Sequence, residues 1–146
     1  RASFLSTPQR YPPGLPSERT TRWQGITTAM RLRPQALAAA KKAVAEGWDL
    51  RAPEPERQFF YLPFEHSENA ADQDLAVQYL SERLSSDPEM ALHARAHREI
   101  IARFGRFPGR NAALGRENTP QEAEFIASGG YGALVKALKA SHAPDA

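Results

Sequence analysis

"DPEMALHARAHREIIARFG", residues 87–105, decides the fold class. Asp87 followed by Pro88 starts a helix, because proline suits the first helical position, where its missing N–H is not needed. Met90, Ala94, His97, Ile101 and Phe104 then recur three and four apart, which predicts a single stripe on that helix, and Gly105 and Pro108 stop it. Downstream, "TPQE" at 119–122 fits a capping box, with Thr119 as N-cap, Pro120 in the first turn and Glu122 reaching back. That helix carries Phe125 and Ile126 and ends at Gly129 and Gly130, and a last one over Tyr131 to Lys139 offers Leu134 and Leu138.

Upstream the same rules apply. Ala70 to Leu84 reads as a helix with Val77, Leu80 and Leu84 on one face, capped by Ser67 or Asn69. Glu54 to Leu62 reads as a shorter helix that ends near Pro63, since the residue before a proline avoids the right-handed helical region. Pro34 opens a helix over 34–46 with Leu37, Ala40, Val44 and Trp48 at helical spacing and Gly47 as its stop. No run of alternating β-branched residues exists anywhere. The expected architecture is all-α, five to six short antiparallel helices over 34–140, preceded by an irregular proline-rich arm at 1–33 and followed by a tail at 141–146.

Composition limits the function classes. At 146 residues the chain has the size of one domain. A net charge of +2 is too small for a nucleic-acid binder without a clustered basic face. The absence of cysteine removes disulfides, thiolate nucleophiles and cysteine-ligated zinc. No window approaches the roughly 18 apolar residues of a membrane span, and the N-terminus lacks a signal-peptide core, so a cytoplasmic location is expected. The chain opens on Arg1, as expected of a processed, trimmed or partial sequence.

Chemistry-bearing residues concentrate in "ERQFFYLPFEHSE", residues 56–68. Glu65, His66 and Glu68 follow a cluster of Phe59, Phe60, Tyr61 and Phe64. A carboxylate behind aromatics is desolvated, which raises its pKa toward the range of a general base, and a neighbouring imidazole can orient it or relay a proton. The same residues serve equally as a latch that caps the next helix and pairs with an arginine. That arginine is sought in "RFGRFPGRN", where Arg103, Arg106 and Arg110 alternate with Phe104 and Phe107 and lead to Asn111. His93 and His97 share a helix face and have the spacing of a metal pair, but no HExxH motif accompanies them and no metal site is assigned.

With "ERQFFYLPFEHSENAADQDLAVQYL" (56–80) and "HREIIARFGRFPGRNAALGRENTPQEAEFI" (97–126) both on view, the chain resembles the bacterial family known as domain of unknown function 924 over about 34–128. The resemblance implies a tetratricopeptide-like (TPR-like) helical array and names no reaction. It also implies a histidine where Gly109 stands, and further N-terminal helices with a "DQFPRN"-like segment, of which "QRYPPG" is a faint echo.

Two functions follow as expectations. The first is a non-enzymatic binding or scaffold module whose aromatic pocket, with Phe60, Tyr61, Phe64, Glu65, His66, Arg106, Arg110 and Asn111, takes a peptide or small anionic ligand, or which meets a protein partner or a second copy of itself. The second is a hydrolase-like enzyme using Glu65 or Glu68 as base, His66 or His97 as acid or metal ligand, and Arg110 against negative charge. No cofactor is expected, nor a membrane, and nucleic acid is the least favoured partner.

Overall fold

The computed structural model of the chain describes residues 33–142, all within the compact unit Leu32–Ala146. Every regular element among them is helical: α1 over 33–45, α2 Glu54–Glu65, α3 Ala70–Glu82, α4 Pro88–Phe104, α5 Pro120–Ala127 and α6 Gly130–Ser141, with short 3₁₀ turns at Asp49–Arg51 and Pro108–Arg110. The all-α expectation holds. The proline-rich segment and Trp23 lie outside the described residues.

The caps follow local chemistry. Asn69, rather than Ser67, caps α3 by accepting from the N–H groups of Ala71 and Asp72. Ser67 instead donates to Asp72 at 2.7 Å. Thr119 and Glu122 form the reciprocal capping box at the start of α5. Gly105 ends α4 in the left-handed conformation.

Three boundaries differ from expectation. α2 continues through Pro63 to Glu65 and closes at its cap, where the His66 N–H donates to the Leu62 carbonyl at 3.0 Å. Burial of Phe64 outweighs the one bond that proline removes. α3 stops at Glu82, with Arg83 as its cap, so Leu84 is buried from the loop that follows. Trp48 lies beyond α1 and is 49% exposed, its indole N–H donating to Glu46 and its ring under Arg51.

Successive helices pack on one another, α2 on α3 and α3 on α4, after which α6 returns to α4 and α5 to α6. Two apolar clusters result. Ala40, Val44, Tyr61, Phe64, Ala76, Leu80, Leu84 and Ala94 form one, and Ala96, Ile100, Ile101, Phe107 and Leu134 the other. α4 is therefore buried on two sides, not along the single stripe its spacing suggests. Alanines at 91, 94 and 96 make this possible, because a small side chain lets helices approach on a face that carries no large apolar residue.

Gly129 joins α5 to α6 at φ 106, and a Cβ there would stand 2.9 Å from the Ala133 side chain. Gly129→Ala is expected to lower the unfolding free energy by about 1–2 kcal/mol, the usual cost of the left-handed conformation, with the contact adding to it. A urea titration that leaves the midpoint unchanged would show that this junction is not held as described.

Candidate functional site

The end of α2, the middle of α4, the turn after α4 and the start of α6 meet around His97. His97 Nδ1 lies 2.7 Å from the carbonyl oxygen of His93 and 3.0 Å from Glu65 Oε1. Both neighbours only accept, so Nδ1 carries hydrogen and Nε2 is the nitrogen left for chemistry. The Tyr131 hydroxyl stands 3.5 Å from His97 Nδ1 and also hydrogen-bonds His93 Nδ1. Burial and the Glu65 charge push the Tyr131 hydroxyl up to about 12, which keeps it protonated.

Phe107 meets the His97 ring edge-on at 5.5 Å, and the His66 ring lies 5.8 Å from it. Desolvation, opposed in part by Glu65, lowers the His66 pKa, and the neighbouring His97, Arg110 and Arg33 lower it further.

A cleft of about 430 Å³ opens beside His97, bordered by Ile100, Phe107, Arg110, Phe125 and Tyr131. Its apolar floor is the second cluster. Arg110 stands over the Phe107 ring at 4.3 Å and donates to the His66 carbonyl at 2.8 Å. Burial and the nearby charge of Arg33 bring its guanidinium down to about 10, still fully charged at neutral pH. Its acidic neighbour Glu68 is 3.7 Å away and is already taken by Arg116, which grips both carboxylate oxygens at 3.0 Å. The start of α6 borders the same cleft and has no side-chain cap, so its free N–H groups add a positive dipole end.

The other residues singled out in the sequence serve packing. Tyr61 and Phe64 are fully buried in the first cluster, and Tyr61 donates to Asp49 at 2.6 Å. Phe60 packs on the same cluster, and Phe59 is 65% exposed. None of the four borders the cleft, because the helical turn directs them to the α3 side or to solvent. Arg106 does not pair with residues 65–68; it binds both oxygens of Glu122, whose carboxylate also accepts from Asn111 and from the Thr119 N–H. Arg103 pairs with Glu99 on the surface. Glu68 accepts from the Phe107 N–H and from Arg116, which makes it the strut that fixes the turn bearing Arg110.

His93 and His97 each have Nδ1 engaged within the protein, and no group of three side chains that could together hold a metal ion occurs among the described residues. Sequence reasoning missed three contributors. Arg116 has no signal beyond its repeated "GR" setting, and Tyr131 looks like core. Gln73 is fully buried and donates to the carbonyls of Glu65 and Ser67, closing the end of α2.

The family described as "Bacterial protein of unknown function (DUF924)" matches residues 21–130. The chain belongs to this family. A solved structure of a protein of unknown function from Agrobacterium tumefaciens is 40% identical, with a TM-score of 0.61, and the match covers 66% of this chain and 53% of that one. The chain thus spans about half the length of that relative. No curated protein matches it. No helix among the described residues of this DUF924 chain is long and apolar enough to cross a membrane. At Gly109, where the family resemblance leads one to expect histidine, an added Cβ meets nothing within 4 Å. Gly109 lines the cleft.

Proposed function

We propose that this DUF924 chain is a TPR-like helical binding module for a small ligand with an anionic group on an apolar body. The observation that carries this reading is Arg110, a half-buried guanidinium at the rim of an apolar cleft whose nearest carboxylate is committed to Arg116. A desolvated cation with an incomplete partner gains most from an added anion, and Phe107, Ile100 and Phe125 offer the apolar body its contacts. The succession of helices packed on their chain neighbours supports the TPR-like description.

The nucleic-acid alternative gains little, because Arg103 and Arg106 are neutralised by Glu99 and Glu122 and present no basic stripe. Phenyl phosphate is a suitable probe. It is expected to raise the thermal midpoint of the chain by linkage, and Arg110→Met is expected to weaken its binding about 10- to 100-fold, the worth of one charge-assisted hydrogen bond. Unchanged affinity in a folded Arg110→Met chain would place the anion elsewhere.

A further inference from the structure

Holding an anion does not account for Glu65. Asp49, Glu65, Asp72 and Glu122 are the buried carboxylates among the described residues, and three of them have a cationic partner: Arg83 for Asp49, Lys41 for Asp72 and Arg106 for Glu122. Glu65, only 3% exposed, has no such cation: its carboxylate pairs with the imidazole of His97, near Tyr131 and His66, and its Oε2, like Asp49 Oδ1, has no hydrogen-bond partner among those residues. A carboxylate kept dry with so little compensation is costly as a latch. As the group behind a working imidazole it is well placed, since its negative charge favours the imidazolium that forms when Nε2 takes a proton.

The geometry points to His97 Nε2 as a general base that activates water against a small carboxylic ester bearing an anionic group, with Glu65 as the positioning residue. This rests on the anion-binding reading of the same cleft. Nε2 takes one proton from water as the water oxygen bonds to the ester carbonyl carbon. The tetrahedral intermediate then collapses, the bond to the alcohol oxygen breaks, and the departing alkoxide takes that proton back from the imidazolium. Ester and water become acid and alcohol with nothing left over, which is why an ester suits a single imidazole. The uncapped N–H groups at the start of α6 border the cleft and oppose the charge that develops on the carbonyl oxygen.

4-Acetoxybenzenesulfonate, an ester whose anionic group is held away from its carbonyl by the ring, tests the inference on the full chain. The wild type is expected to hydrolyse it with saturation, and His97→Gln to lose about 100-fold or more, the usual contribution of a general base. Glu65→Gln is expected to lower kcat about tenfold or more with KM little changed, a split that loss of packing alone would not give, and Glu65→Asp to recover part of it. Lys139→Gln, at an exposed ion pair with Glu89, is expected to leave the rate as it is. A folded His97→Gln chain that keeps the wild-type rate overturns the assignment. If the wild type leaves the ester intact while the unreactive anilide analogue shifts the His97 and Tyr131 resonances, the chemistry falls and the anion site stands. If neither is seen, both readings fall.

Discussion

Asp49→Ala is expected to lower the unfolding free energy by about 3 kcal/mol, the scale for removing one partner of a buried charged pair. Asp49 is completely buried in the turn after α1. Its Oδ2 accepts from the Tyr61 hydroxyl at 2.6 Å and from Arg83 at 2.7 Å, which ties that turn to α2 and to the end of α3. Burial alone would raise the carboxyl, but the Tyr61 and Arg83 hydrogen bonds outweigh it and hold the group below its usual value. Alanine leaves the Tyr61 hydroxyl unpaired in a fully buried position, whereas Arg83 keeps an edge in water and recovers part of its solvation. Asp49→Asn retains an acceptor without the charge and is expected to fall between alanine and the wild type. A urea midpoint for Asp49→Ala indistinguishable from wild type would mean that the triad does not hold in solution.

Acid is expected to destabilise the fold. Asp49, Glu68 and Glu122 all have folded pKa values below their ordinary ones, Glu122 at about 2 through its Arg106, Asn111 and Thr119 partners. For a depressed carboxyl the stabilisation is complete above the unfolded value and is lost as pH falls through the folded one. The loss therefore sets in below the ordinary values of 3.8 to 4.5 and continues toward about 2. His66 acts earlier and in the same direction. Its folded pKa lies below 6.5, so the unfolded chain takes up a proton that the folded one resists. Urea midpoints are expected to decline gently below pH 6.5 and steeply below 4.5; a flat profile down to pH 3 would contradict these pairings.

Short-range chemistry was well legible in the sequence. Pro88, Gly105, the Thr119 and Glu122 box and the double glycine at 129–130 mark helix ends because each acts within a turn of itself. The extension of α2 past Pro63 was not legible, because it depends on burial of Phe64 against partners distant in sequence. The site was readable in half. Glu65, His97 and Arg110 stand out as residue types, and the structure places them together. Their pairing was not readable: Glu65 faces His97 rather than an arginine, and Arg116 rather than Arg106 takes Glu68. The aromatic run 59–61 with Phe64 reads as a pocket wall, but helical geometry turns Tyr61 and Phe64 into the core and Phe59 to solvent.

The cleft also has a place in the order of folding. Its defining contacts join residues far apart in the chain: His93 to Tyr131 across 38 residues, His66 to Arg110 across 44 and Glu68 to Arg116 across 48. Individual helices form in about a microsecond or less, while contacts of that span wait on the closure of long loops. During synthesis, the packing of α2, α3 and α4 is complete in sequence before Tyr131 has been made. The nascent chain is thus expected to acquire its scaffold first and the cleft last, when α6 folds back onto α4.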